Sequence, residues 1–387
     1  MILLIYINFI LHIHIHILCE TVRMTSKRKN DGTGERPPKK PTSASAASAA
    51  SAIGTAAQHV LISVLTPEEL ERTDNIKNYV INTLKTIGNT PLVIGYDVSV
   101  VPPARITAKY VELADTAAFM TTEGRVYNLL NLQPHPHMPR VRCCLRASDG
   151  KQRSYVISDA YFGDLQSYLR SRQDNPLTEA EVLGLFSQLV AAVAYCHENR
   201  ITLRDMKLGK VMFSDPEHTR IVIADLTNAV VMPASVNVVH DQQGSPAYVA
   251  PEILSGRPYE PFKADIWSLG VMLFVLLSGG NYPFRDERPA FLFRKITNGP
   301  IEAPTDFPVN ARVLVLQMLT RNPELRPSIE DIRQSLWVSG GAGGAVPIAV
   351  PIAVPIAPVA AVMEVAASVE VAPVSEPIQN DDVPNID

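Results

Sequence analysis

Leu203-Arg204-Asp205-Met206-Lys207-Leu208-Gly209-Lys210-Val211-Met212-Phe213 sets one carboxylate among three cationic side chains and runs into an apolar segment. Upstream, Leu183, Phe186, Leu189, Val190 and Val193 recur at helical spacing, which predicts an amphipathic helix over 183–196. Downstream, residues 266–277 are nearly continuously apolar but only twelve residues long, the length of a buried central helix and too short for a membrane span. Strand-like runs precede these helical patterns, the order of an α+β chain with a small sheet-rich part and a larger helical part. Aromatic residues, periodic apolar stretches and punctuated turns all fall between about 75 and 338, which bounds the folded body.

Around that stretch an ordered series resembles the protein kinases. Leu203-Arg204-Asp205-Met206-Lys207 is similar to the catalytic loop H-R-D-L-K, Asp225-Leu226-Thr227 stands where D-F-G would, and Ala250-Pro251-Glu252 matches A-P-E. Asp265-Ile266-Trp267-Ser268-Leu269-Gly270 resembles the buried helix after the activation segment, and Arg326 would be the large-lobe partner of Glu252. The resemblance implies a two-lobed fold with a small β-rich N-lobe and a larger helical C-lobe. Lys109, in Ile106-Thr107-Ala108-Lys109, would be the phosphate-pairing lysine and Glu123 its helix partner. A surface lysine on an edge strand is the competing reading of Lys109.

The departures bear on chemistry. A phosphate-covering loop needs glycines so that backbone N–H groups come close to the phosphates. Aligning Gly88 with the first leaves Thr90 and Val93 at the other two. The metal-ligating asparagine of the catalytic loop falls at Lys210. At an effective dielectric near 20, a unit charge roughly 4 Å from a divalent ion repels it by about 8 kcal/mol before screening. Leu203 replaces the loop histidine, and Thr227 the glycine that eases the turn after Asp225. Asp205 and Lys207 are therefore read as vestigial, with Asp205 kept to satisfy backbone donors of its loop. Lys109 and Asp225 make a degenerate nucleotide site, with weak ATP binding open, no required cofactor and no metal.

Within the kinases, residues 203–213 resemble the Tribbles pseudokinases, whose loop reads L-R-D-L-K-L-x-[KR]-F-V-F. Gly163-Asp164-Leu165-Gln166-Ser167-Tyr168, Gly244-Ser245-Pro246-Ala247-Tyr248 and Tyr282-Pro283-Phe284 carry the same resemblance. It implies an adaptor that docks a bZIP-type transcription factor and recruits a ubiquitin ligase with a propeller domain, with MAP kinase kinases as further partners. The family's ligase motif reads D-Q-x-V-P-[DE], and its counterpart here is Asp381-Asp382-Val383-Pro384, with Asn380 and Asn385 where carboxylates are expected. The alternatives are a weakly active, metal-poor Ser/Thr kinase and an allosteric binder of MAP-kinase-cascade kinases.

The flanks differ in kind from the body. Residues 1–23 are an apolar leader interrupted by His12, His14 and His16, read as a segment that is not translated if synthesis starts at Met24. Residues 24–74 form a basic, Ala/Ser-rich arm expected to be disordered, with Lys27-Arg28-Lys29 and Lys39-Lys40 resembling a nuclear-import signal. Residues 339–387 are a Pro/Val/Ala-rich tail with six acidic and no basic residues, also expected to be disordered. The net charge of −4 is thus a cancellation between a basic arm and an acidic tail. It argues against an obligate nucleic-acid binder. Four cysteines, two of them adjacent, exclude a disulfide framework. No membrane partner is expected, and the localisation read is nucleus and cytoplasm.

Overall fold

A computed structural model describes residues 73–87, 90–100, 102–112, 123–146 and 153–340. The chain divides into two units, to Gly343 and from Gly344. The second unit, the leader, nearly all of the basic arm, Gly88 and the motif at 381–384 lie outside the described residues.

Six antiparallel strands make the small lobe: β1 Thr73–Ile76, β2 Tyr79–Thr86, β3 Leu92–Asp97, β4 Ala104–Glu112, β5 Val141–Arg146 and β6 Arg153–Asp159. Their order is β1-β2-β3-β4-β6-β5. Among the described residues one helix, α1 Glu123–Leu132, lies between β4 and β5 in the chain. β4 alternates strictly: Ile106 and Ala108 pack with Ile81, Val93, Tyr155 and Ile157 on one face, while Thr107 and Lys109 point to the other. Both faces are buried. β4 is an interior strand, so the edge-strand reading of Lys109 is wrong; β3 and β6 occupy its two sides.

The large lobe is built on α2 Leu165–Ser171, α3 Glu179–Glu198, α4 Pro251–Leu254, α5 Pro261–Leu277, α6 Pro289–Asn298, α7 Val309–Met318, α8 Ile329–Arg333 and α9 Leu336–Ser339. Two short two-stranded antiparallel sheets, β7 Ile201–Thr202 with β10 Val230–Val231 and β8 Val211–Phe213 with β9 Ile221–Ile223, carry the cleft-facing loops. Thr178 and Glu181 form a capping box that starts α3. By length and composition alone α3 could cross a membrane; it is instead the lobe's core helix, with Phe186, Leu189, Val190 and Val193 buried. α5 begins five residues before the apolar run that marks it in the sequence, and a carboxylate, Asp265, is buried just past its first turn. A Cβ on Gly270 would come within 2.8 Å of the Met318 Cβ, so α5 and α7 cross at a distance only glycine permits. The lobe closes at Trp337, whose ring meets Phe186 and whose indole N–H donates to Glu179 at 2.9 Å.

Candidate functional site

The cleft is assembled from β4, α1, the turn after β7 and the turn after β9. Lys109 extends from β4 and spends all three ammonium hydrogens: on Glu123 Oε1 at 2.6 Å, on Thr227 Oγ1 at 2.6 Å and on Asp225 Oδ1 at 3.2 Å. Tyr127, one turn along α1, also donates to Glu123 at 2.7 Å. Thr227, in the place of a glycine, donates its hydroxyl to Asp225 at 2.6 Å. Its backbone is not left-handed, whereas that of Arg204 is, at φ 62°. The turn after Asp225 is therefore made without the glycine conformation that the sequence comparison called for.

On the opposite side of Asp225, the Lys210 ammonium lies 3.4 Å from Asp225 Oδ2 and 2.6 Å from Asp205 Oδ2. Asp205 also accepts from Ser245 Oγ at 2.8 Å and Asn228 Nδ2 at 3.3 Å, and Lys207 donates to Ser245 at 3.0 Å. These partners of Asp205 are side chains. The backbone donors of the loop go elsewhere: Leu203 N and Arg204 N donate to Asp265 at 2.9 and 2.8 Å. The expectation that Asp205 satisfies backbone donors is thus corrected, and Asp265 does that work from inside α5. Burial alone would raise the Asp225 carboxyl; the Lys109 and Lys210 ammoniums outweigh it and hold the group far below the usual range. Burial also opposes ionisation of Asp205, and Lys210 with Ser245 outweighs it in the same direction.

A divalent ion does not fit this arrangement. Kinase metals are held by the carboxylate after β9 and an asparagine of the catalytic loop. Here Asp225 Oδ1 already faces Lys109 and Thr227, and Oδ2 faces Lys210. The three buried carboxylates Glu123, Asp205 and Asp225 are met by Lys109, Lys210 and, through Ser245, Lys207. No negative charge is left over to offset two more positive ones.

The segment joining the lobes makes backbone bonds of its own. Tyr161, in the segment joining the lobes, donates its backbone N–H to Thr107 Oγ1 at 3.0 Å, and its carbonyl accepts from Arg105 at 2.9 Å. Its ring packs with Ile87, Leu92, Met212, Val222 and Ala224 in one buried cluster that bridges the two lobes. Thr90 folds its hydroxyl onto Ile87 O at 2.6 Å and accepts from Leu92 N at 3.3 Å, so the strand turn carries its own backbone bonds.

The sequence placed Lys109, Asp205, Lys207, Glu123 and Asp225 in one site, and all five meet in the cleft. It missed Thr107, Ser245 and Asn228, whose roles depend on neighbours up to 54 residues away. It also missed Asp241, which pairs with Arg204 beside the loop. Distant in the large lobe, Arg326 donates to Glu252 Oε1 and Oε2 at 2.6 and 2.7 Å, the partnership the resemblance implied.

A two-lobed chain with a lysine–glutamate pair in its small lobe facing the cleft and a buried arginine beneath its activation segment has the architecture of a protein kinase. The protein kinase domain family matches residues 106–338, more than half of the chain, and the chain belongs to that family. Within it, the chain is similar to Tribbles homologs. It is 39% identical to Tribbles homolog 3 of Mus musculus over 220 residues, 56% of this chain and 61% of that protein. It is 41% identical to Tribbles homolog 1 of Homo sapiens over 189 residues, 49% of this chain and 50% of that protein. Tribbles homolog 2 of Canis lupus familiaris is 38% identical over 191 residues, 49% of this chain and 55% of that protein. The chain therefore spans about half to three-fifths of the length of the curated relatives it matches.

Proposed function

We propose that the protein is a non-catalytic adaptor, a pseudokinase that docks a bZIP-type transcription factor and brings it to a propeller-containing ubiquitin ligase. The observation that carries the non-catalytic part is the cleft's internal neutralisation: Lys109 has no ammonium hydrogen left for a phosphate, and Lys210, at the asparagine position, is paired with Asp225, the one carboxylate a metal would need. The adaptor part draws on the likeness to Tribbles homologs and on Asp381, Asp382, Val383 and Pro384. A Val-Pro pair is apolar and preorganised, flanking acids suit a basic rim, and a tether raises the effective concentration of the second partner. Regulation of protein degradation and of kinase signalling follows, in nucleus and cytoplasm. Deleting residues 376–387 is expected to abolish ligase pull-down while the thermal transition of the domain is unchanged; an unchanged pull-down sinks the tail assignment.

One arrangement favours a second reading, a weakly active kinase. Lys109 and Glu123 are paired, and Asp205, Ser245 and Lys207 form a connected set that could orient a hydroxyl acceptor. Thermal-shift titration with ATP, with and without Mg²⁺, followed by a phosphotransfer assay separates the two. Mg²⁺-dependent turnover lost in Asp205→Ala would overturn the adaptor-only reading.

A further inference from the structure

The metal side of the cleft disagrees with the fold family in a specific way: it contains a cation, supplied by the chain itself. Lys210 follows Leu208 and Gly209 in a single 3-10 turn, and its carbonyl accepts from Ala224 N at 3.0 Å, the residue before Asp225. The backbone of the loop is thereby tied to the base of the strand that presents Asp225. From that anchored position the ammonium reaches both carboxylates, Asp205 at 2.6 Å and Asp225 at 3.4 Å. All three side chains are about nine-tenths buried. A divalent ion in a kinase holds together a catalytic loop and the turn after β9; a point charge on a flexible four-carbon stem can do the same with one unit of charge.

We infer that Lys210 is the resident cation of this cleft, a positioning residue that excludes divalent metal by occupying its place and keeps the catalytic loop joined to the Asp225 turn without any ligand. The other charges around it agree. Asp225 is shared with Lys109, and Asp205 is bonded on its second oxygen by Ser245, itself held by Lys207. Among the described residues no cluster of three or more His, Cys, Asp or Glu side chains offers an alternative metal site. The inference goes beyond the adaptor reading, because it concerns what holds the cleft and stands whether or not the tail binds a ligase.

The test uses the full chain and Mn²⁺ as probe, followed by electron paramagnetic resonance. Wild-type protein is expected to show no Mn²⁺ site that depends on Asp225. Lys210→Asn, which trades the ammonium for an oxygen ligand, is expected to gain one site at least about tenfold tighter than any in the wild type. Adding Asp225→Asn to that variant should remove it. Equal Mn²⁺ binding by wild type and Lys210→Asn, or a gained site that survives Asp225→Asn, overturns the inference. Wild-type protein alone supplies an independent arm in case Lys210→Asn does not fold. Amine-reactive labelling read by mass spectrometry should modify Lys210 at least about tenfold more slowly than the exposed Lys77, and millimolar Mg²⁺ should leave that ratio unchanged. Mg²⁺-induced labelling of Lys210 would mean that metal displaces the ammonium, and would overturn it.

Discussion

Arg326 and Lys210 are both buried cations that bridge segments far apart in the chain, yet they stand in opposite relation to the kinase pattern. Arg326 is fully satisfied: its five N–H donors meet Glu252 twice and the carbonyls of Lys263, Thr320 and Arg321, and its guanidinium lies 5.1 Å from the Trp267 ring. That cluster matches the family in residue and partner. Lys210 is a substitution in the family's metal position and pairs with the catalytic-loop carboxylate Asp205 and with Asp225, the carboxylate that would hold a metal. The pair separates two duties that a kinase sequence combines. Electrostatics that hold the activation segment on α5 are retained, and electrostatics that served the nucleotide have been converted into internal bonds. A buried charge must be compensated whether or not it does chemistry. Loss of catalysis does not free Asp205 and Asp225 from that requirement.

Breaking the Arg326 cluster should have the largest effect. Arg326→Met leaves the Glu252 carboxylate without its bidentate partner and three carbonyls without donors; a loss of about 3–5 kcal/mol is expected in denaturant unfolding. A loss under about 1 kcal/mol would remove the claim that this pair holds the lobe. Lys210→Met should cost less, about 1–3 kcal/mol, because Asp225 keeps Lys109 and Asp205 keeps Ser245 and Asn228. The same substitution has a pH signature. Both carboxyls sit lower in the folded chain than unfolded, so their contribution is complete above about pH 4 and is lost as pH falls through their folded values. Removing the ammonium raises those folded values, and the acid-unfolding midpoint should move to higher pH by circular dichroism. An unmoved midpoint would show that Lys210 is electrostatically idle.

Thr107→Ala is a smaller change, about 1 kcal/mol, since it deprives the Tyr161 N–H of its acceptor. It also sharpens the comparison, because it reopens one backbone donor of the segment joining the lobes; any nucleotide-induced thermal shift should grow in this variant and not shrink. Asp241→Asn should have the smallest effect on stability, under about 1 kcal/mol, because Asp241 is substantially exposed and its pairing with Arg204 is screened. Limited proteolysis of the segment around residue 241 is the readout there, with faster cleavage expected.

What was legible in the sequence was local. Residues 203–213 and Asp265 to Gly270 carry their identity in short runs, and the lobes followed from them. Lys109, Glu123, Asp205 and Asp225 could be named because each occupies a familiar register in such a run. The outcome at Lys210 was only half legible. Repulsion of a metal could be calculated from the residue type, but whether the ammonium would turn toward Asp205 and Asp225 depended on the turn of Leu208–Lys210 and its bond to Ala224. Ser245 and Thr107 were invisible for a plainer reason. A hydroxyl residue carries no signal of its partner, and theirs lie 40 and 54 residues away. The start of α5 misled because a buried Asp265 reads as polar surface until the donors it accepts from are known.

The reach of Lys109 has a kinetic consequence. Its bonds to Asp225 and Thr227 close chain separations of 116 and 118 residues, while the bond to Glu123 closes only 14. Loop-closure entropy favours the short contact first, and the long ones can form only once strands from both lobes have been brought together. Substitutions at Thr227 that remove its bond to Lys109 should therefore act on the rate at which the native chain opens and leave its refolding rate nearly unchanged. In a chevron measured for Thr227→Val, the unfolding arm is the one expected to rise. The cleft of this protein would then be a late latch, setting how long the folded state lasts.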